Sequence, residues 1–298
     1  MKVYNTEITP DIQKIIVDAV REKKELHFFS ESYILKYAEH LLKKNKKLRN
    51  LIDTNSLFYE KKEFKIFIKE IREKARRIYG TYMTKKYAQK EILLEDIQSL
   101  VSDDIDKNKD LLKPILETHL STKERLLYYE EFKQLVKSVL EKKGLKLKNS
   151  TVLDLGCGLN PLAWMFDCKN IVASDIGDLD LAFLETCFSV FGREKILTTI
   201  PLDLSEQKDI ETLQGLDADI CFMLKILDPI EESNSNITYE LLPVVQCSIL
   251  FVSFPTTTIS NKSMRNPRRN WFEKVLHRLE YSFETKEIGN ELFYVVFK

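Results

Sequence analysis

The sequence predicts an all-helical N-terminal part followed by an α/β domain on a mostly parallel sheet. Two observations carry this. Up to about residue 145 the apolar residues recur at helical spacing, whereas from Thr151 onward five short apolar runs alternate with helix-compatible stretches. The charges divide in the same way: residues 1–150 hold 33 basic and 24 acidic side chains, and residues 151–298 hold 13 and 22, although the whole chain is formally neutral. An excess of nine cations in one half and nine anions in the other suggests that one part meets a polyanion while the other does different work.

The helical part is read in order. Residues 10–24 carry Ile12, Ile15, Ile16 and Ala19 on one stripe, and residues 32–44 repeat it with Ile34, Leu35, Ala38, Leu41 and Leu42. A longer helix is expected over residues 60–82. Its apolar side holds Phe64, Phe67, Ile68 and Ile71, and its basic side holds Lys65, Lys69, Arg72, Arg76 and Arg77. Further helices are expected at 87–101 and 111–116. Ser121-Thr122-Lys123-Glu124 fits a capping box, in which Glu124 reaches back over the first turn of a helix running through Phe132, Val136 and Leu140 to Gly144. The domain boundary is placed near Gly144–Ser150, giving domains 1–148 and 149–298.

The α/β part opens with Thr151–Leu155. Runs at 170–175, 196–202, 218–224 and 248–254 follow, with a last pair, 286–288 and 292–297, around Gly289-Asn290. No apolar run reaches the roughly 18–20 residues of a membrane span, and Met1–Glu7 carries no apolar signal core. The five cysteines have no paired C-x-x-C spacing. That argues against a disulfide framework or a structural metal and makes a reducing cytoplasm the expected setting.

The chemistry concentrates at the first strand end. Asp154-Leu155-Gly156-Cys157-Gly158 allows a tight turn and close approach of a ligand to the backbone. Asp175 ends the next run, 21 residues after Asp154, where a carboxylate can accept both hydroxyls of a ribose. Pro161 occupies the third glycine position of a dinucleotide fingerprint, so the pattern suits a nucleoside without a pyrophosphate, such as S-adenosylmethionine. After the third run, Asp203 is placed to accept an adenine amino group while Leu204 packs on the ring; a plain helix cap is the alternative.

Several segments carry a resemblance. The stretch from Val152 through Asp154-Leu155-Gly156-Cys157-Gly158 to Leu162 resembles the first motif of the aminoglycoside-resistance 16S rRNA guanine-N7 methyltransferases, the Arm/Rmt group. His119–Arg125 resembles the family's H-x-S-T-x-E-R segment, and Phe222–Leu227 its F-x-L-K-x-L segment. Val252–Thr256 is similar to V-S-F-P-T, Trp271–Glu273 to W-F-E, and Ile288–Leu292 to I-G-x-E-L. The match covers roughly residues 75–298 in a consistent order.

The resemblance implies a Rossmann-like class I methyltransferase domain, α/β with a mostly parallel seven-stranded sheet, preceded by an all-helical domain. It also implies S-adenosylmethionine as cofactor. His119 and Arg125 are then expected at the methionine portion, with Arg125 pairing the carboxylate; Asp154, Gly156, Gly158, Asp175, Asp203 and Leu204 are expected to hold the rest. Lys225 is expected beside the transfer centre. The implied target is 16S rRNA of the small ribosomal subunit, met by a monomer that needs no metal. Arg72, Arg76 and Arg77, together with Lys262, Arg265, Arg268 and Arg269, are expected to dock the RNA. Trp271, Phe254 or the Thr256 region is expected to shape the base pocket.

Departures from the family pattern fall on the target side. Thr257 stands where Arg is usual and Arg268 where Tyr is common, Asp228-Pro229 replaces the L-P order, and the loop 257–270 looks two residues short. Two alternatives follow: a methyltransferase of another RNA base or of a small molecule, and a non-catalytic RNA-binding relative.

Overall fold

A computed structural model describes residues 1–23, 26, 29, 31–76, 84–257 and 262–298, leaving aside the Ser233 side chain. The chain divides into two compact units, Met1–Tyr82 and Met83–Lys298.

The first unit opens with a two-stranded antiparallel ribbon, β1 (Lys2–Val3) and β2 (Thr6–Glu7). Among the described residues four α-helices follow: α1 (Pro10–Arg21), α2 (Glu31–Lys44), α3 (Lys46–Thr54) and α4 (Lys62–Ala75). Thr9 caps α1 by accepting from the Ile12 N–H, and Pro10 occupies the first helical position, where its missing N–H costs nothing. Ile34, Ala38 and Leu42 of α2 and Phe64, Phe67, Ile68 and Ile71 of α4 are buried, on the stripes that the helical spacing marks; in α1 the buried residues are Ile16, Val17 and Val20, so the face is turned from the expected Ile12, Ile15, Ile16 and Ala19, of which only Ile16 is buried. α3 was not foreseen; its short polar sequence carries only Leu48 and Ile52 inward.

In the second unit four helices precede the sheet: α5 (Lys90–Gln98), α6 (Ile105–Leu116), α7 (Leu120–Arg125) and α8 (Tyr129–Lys142). α6 begins six residues before the expected 111 because Asp104 caps it, accepting from Asp106 N and Lys107 N. The sheet comprises β3 (Thr151–Leu155), β4 (Asn170–Asp175), β5 (Leu197–Pro201), β6 (Ile220–Leu224), β7 (Ile249–Pro255), β8 (Ser282–Ile288) and β9 (Glu291–Phe297). Its order is β5-β4-β3-β6-β7-β9-β8, parallel except for β9, which runs antiparallel to both neighbours. A short 3-10 turn (Asn160–Ala163) links β3 to β4, and α9 (Asp178–Val190), α10 (Gln207–Glu211), α11 (Leu227–Ser233), α12 (Ile237–Val244) and α13 (Asn270–Arg278) lie in the later connections.

Each face of the sheet has its own core. One face sets Val152, Phe222, Phe251 and Phe293 against α5, α6, α8 and α9; the Phe132 ring of α8 lies 4.5 Å from Phe293 and 5.5 Å from Phe222. The other sets Leu153, Cys221, Met223, Val252 and Phe254 against Leu241, Leu242, Phe272 and Leu276. Helices α5, α6 and α8 therefore share a core with the sheet, which is why the compact division falls after residue 82, earlier than the expected 148/149 boundary. The charge follows this division: residues 1–82 hold 19 basic and 12 acidic side chains.

The chain leaves β3 toward β4 and β5, then crosses back to β6 on the opposite side. The strand order thus reverses between β3 and β6, and the carboxyl ends of parallel strands at such a reversal leave a crevice open for a ligand.

Candidate functional site

Two glycines shape the crevice. Gly156 and Gly158, just past β3, have φ of +66° and +48°, in the left-handed region that glycine adopts without strain. Space forbids a side chain as well. A Cβ at Gly156 would lie 2.7 Å from Ile226 Cγ1, and one at Gly158 would lie 2.9 Å from His119 Cε1. His119 of the α6–α7 turn thus lies directly against the glycine turn.

Asp175 closes the turn from the neighbouring strand end. Its Oδ2 accepts from the Gly158 N–H at 2.8 Å and its Oδ1 from the Gly177 N–H at 3.1 Å. The residue is only partly covered, and the Ile176 amide is a further backbone donor to it. Desolvation still raises its pKa, to about 6, against the lowering by these backbone donors. Asp154 lies deeper. It accepts from Asn160 Nδ2 at 2.7 Å, and Asn160 Oδ1 in turn accepts from Tyr129 OH at 3.0 Å. Burial pushes the Asp154 carboxyl up to about 7 despite Asn160 and the nearby Arg125. Burial likewise holds His119 near 4, as a neutral imidazole.

A buried ionic cluster joins α7 to the carboxyl end of β6, to β7 and to the start of β9. Arg125 Nε lies 2.8 Å from Glu291 Oε1, with both side chains almost fully covered. Lys225 Nζ lies 2.5 Å from Glu124 Oε2 and 3.2 Å from Glu291 Oε1. Ser253 Oγ donates to Glu291 Oε2 at 2.6 Å, and Asn290 Nδ2 donates to Glu124 Oε2 at 3.1 Å. Burial opposes the charge on Arg125 and on Glu291, but their pairing outweighs it, raising the arginine's pKa and lowering the glutamate's. Lys225, the residue after β6, adopts φ +61°, a costly conformation for a residue with a Cβ.

Glu124 does not close the expected capping box. α7 has His119 at its N-cap with no side-chain cap bond, and Glu124 turns instead to Lys225 and Asn290. An ion pair with a buried ammonium outcompetes a solvated cap. The helix through Phe132 is a separate one, α8.

A second charged group was not anticipated. Tyr87 OH and Lys90 Nζ both donate to Asp180 Oδ1 in the first turn of α9, and Lys90 Nζ also donates to Tyr87 OH at 2.8 Å. Asp180 acts electrostatically on both His119 and Asp175. No spacing signal links residues 90 apart, so the triad was invisible in the sequence.

The remaining candidates are placed as follows. Asp203 Oδ1 accepts from Ser205 N and Oγ, at 3.0 and 2.6 Å, and Leu204 is buried in the second core. Phe254 is wholly buried among Trp271, Phe272 and Tyr294, so it is a core ring rather than a pocket wall; Trp271 is half-buried. Lys262 and Arg265 are exposed, and Arg268 pairs with Glu273 at 2.7 Å while remaining half exposed. Arg269 is drawn inward onto Asp228, at 3.0 Å, and donates to the carbonyls of Pro255 and Pro267. Arg72 donates to Ala19 O and pairs with Glu22, while Arg76 is half-buried. Arg77, with the tail of the expected helix and part of the short loop, lies outside the described residues.

The crevice fits an adenosyl donor with an amino-acid tail. The glycine turn is cleared of side chains, the Asp175 carboxylate sits at the second strand tip, and Arg125 Nη2 is buried with no hydrogen-bond partner. A carboxylate from a ligand would satisfy that nitrogen. Fold and crevice together define a class I S-adenosylmethionine-dependent methyltransferase.

Comparison with known proteins narrows the class. Residues 59–295 match the family model described as ribosomal RNA methyltransferase (FmrO), and the chain belongs to that family. Among its relatives is the 16S rRNA (guanine(1405)-N(7))-methyltransferase of Micromonospora echinospora, 29% identical over 238 residues, 78% of this chain and 82% of that one. The enzyme of the same name from Proteus mirabilis is 25% identical over 245 residues, 76% and 83% of the two chains. The crystal structure of the 16S rRNA methyltransferase RmtF with S-adenosyl-L-homocysteine has the same fold, with a TM-score of 0.69 over 97% of this chain and 99% of that chain at 21% identity. The structure of the 16S rRNA methylase RmtB gives 0.64 over 97% and 100%, also at 21% identity.

Proposed function

We propose that this enzyme methylates N7 of a guanine in 16S rRNA, within the small ribosomal subunit. The relatives named for N7 of guanine 1405 support that target class. The observation that carries the chemistry is the Gly158–Asp175 tie at the strand reversal, with His119 against Gly158.

The bound donor supplies an electrophilic sulfonium methyl. Asp175 accepts the ribose hydroxyls, Asp203 serves the adenine with Leu204 backing it from the second core, and Arg125 with neutral His119 holds the methionine end. Guanine N7 carries a lone pair and no proton, so attack needs no general base, and alignment supplies much of the rate. Lys225 suits this: paired to two carboxylates, it is a cation at the strand tip, fit to orient a base edge by hydrogen bonding rather than to remove a proton. The target base must leave its stack to reach the crevice.

The N-terminal helical region, whose cations outnumber anions within residues 1–82, docks the RNA backbone, together with Lys262, Arg265 and Arg268 beside the site. The chain works as a cytoplasmic monomer. Guanine N7 is a hydrogen-bond acceptor, and methylation deletes it and adds a positive charge. A decoding-region guanine so altered repels a polycationic aminoglycoside, which makes drug resistance the expected cellular consequence.

The test is methyl transfer from labelled donor into small subunits, naked 16S rRNA and free nucleosides, followed by borohydride–aniline scission at N7-methylguanine and mass-spectrometric mapping. One scission site in 16S rRNA is expected. Equal labelling of nucleosides, or label on another base, would overturn the reading.

A further inference from the structure

Among the charged groups around the crevice, Glu291 occupies a position that the donor-binding roles leave unexplained. It is the first residue of β9, paired in register with Pro255 of β7, and only 1% exposed. Its Oε1 lies within 2.8 Å of Arg125 Nε and 3.2 Å of Lys225 Nζ, while its Oε2 is held by Ser253 Oγ at 2.6 Å. One oxygen thus serves two cations and the other is pinned to the sheet. The adjacent Asn290 donates to Glu124, which completes the clamp on Lys225 from α7.

We propose that Glu291 is a positioning residue of the transfer centre, whose single carboxylate fixes Arg125 and Lys225 together. Donor capture and the placement of Lys225 then depend on one shared charge. This deepens the methyltransferase reading and rests on it.

Three physical arguments support the role. Buried ion pairs add little net stability compared with apolar packing, so a cluster of two cations and two carboxylates at a strand tip is better explained by geometry than by stability. Glu291 Oε1 lies 2.8 Å from Arg125 Nε as an ion-pair contact, while neither Nε nor Nη2 has a hydrogen-bond partner; the guanidinium is held by charge and keeps donors for a ligand carboxylate. Lys225 keeps a left-handed backbone to hold its ammonium between Glu124 and Glu291. Strain of that kind persists only where the surroundings over-determine it.

The experiment compares the wild type with Glu291→Gln, Glu291→Asp, Arg125→Ala, Lys225→Ala and the Glu291→Gln/Lys225→Ala double variant. S-adenosylhomocysteine binding is read by calorimetry, and methyl transfer by single turnover at saturating donor with small subunits. Arg125→Ala is expected to move mainly binding and Lys225→Ala mainly the rate. Glu291→Gln is expected to move both, each by about tenfold, with near-ultraviolet circular dichroism unchanged. In the double variant the rate falls little below that of Lys225→Ala alone, because residues in one ion-pair network do not act additively. Should the amide not fold, Glu291→Asp, which keeps the charge on a shorter arm, shifts both readouts in the same direction by less. A Glu291→Gln protein that binds and transfers like the wild type, or whose rate loss adds in full to that of Lys225→Ala, overturns the proposal alone, as does a wild-type-like Glu291→Asp if the amide does not fold. Failure of the wild type to bind the product overturns the methyltransferase reading, and this proposal with it.

Discussion

The Gly158 amide donates to the Asp175 carboxylate at 2.8 Å, so the first strand's turn and the second strand's tip form one rigid ledge. Because both residues serve the same ledge, damage to either is expected to appear first as lost donor affinity.

The glycine turn gives the sharpest steric prediction. Gly156→Ala places a methyl against Ile226 in a left-handed backbone and is expected to cost about 1–3 kcal/mol. Gly158→Ala meets the His119 ring instead, which is a removable neighbour. Part of its loss of thermal stability should return in a Gly158→Ala/His119→Ala variant, while donor affinity stays low because His119 itself serves the methionine end; no change at Gly156 is rescued by His119→Ala. Calorimetry and thermal melts on the four proteins check this.

Donor binding should depend on pH through Asp175. Its pKa stands near 6, and the ionised form is the acceptor for two hydroxyls. Affinity is therefore expected to be full well above pH 6 and to fall as pH drops through that value. Asp175→Asn should bind more weakly, by about tenfold, with a flatter profile. Calorimetric titrations from pH 5 to 8 read both effects; an unchanged slope in the variant would remove Asp175 from the ribose site.

Asp154 makes the opposite kind of contribution, to stability. Its folded pKa of about 7 lies above the ordinary carboxylate value of 3.8. Between these values the folded chain binds a proton that the unfolded chain does not, so this group's contribution to stability declines as pH rises through that window. Asp154→Asn, which keeps an acceptor for Asn160, is expected to gain relative to the wild type on going from pH 5 to pH 8. Denaturant midpoints at the two pH values check the sign.

The cationic residues should separate into two kinds. Arg265 is exposed, and its change to Ala should weaken RNA binding and reduce the salt slope by about one. Arg72 is committed to the Ala19 carbonyl and Glu22, so Arg72→Ala should lower the stability of the first unit by about 1–3 kcal/mol while leaving the salt slope nearly unchanged. Filter binding across salt concentrations, beside thermal melts, distinguishes the two.

The parts legible in the sequence are those encoded locally. Buried parallel strands are apolar along their whole length, so β3, β4, β6 and β7 stood out as runs. The Asp154–Gly156–Gly158 turn and Asp175 follow from short spacing. β8 was expected only from residue 286 because its first four residues, Ser282–Thr285, belong to a largely exposed edge strand with little apolar signal. Glu124 was read as a cap because its real partner, Lys225, is 101 residues away, and Glu291 drew no role because Arg125 lies on another element entirely. The amphipathic stripes of α5, α6 and α8 look the same whether they face a helical bundle or a sheet, so periodicity had no means of placing the division at residue 82.

The central claim is a single donor crevice in which Arg125 anchors the amino-acid tail. Calorimetric titration of S-adenosylhomocysteine into the wild type and Arg125→Ala tests it most directly. The account requires one site per chain in the wild type and at least about tenfold weaker binding in the variant, as expected for the loss of a charge-assisted pair. Equal affinity in the two proteins, or no heat with either, would contradict it.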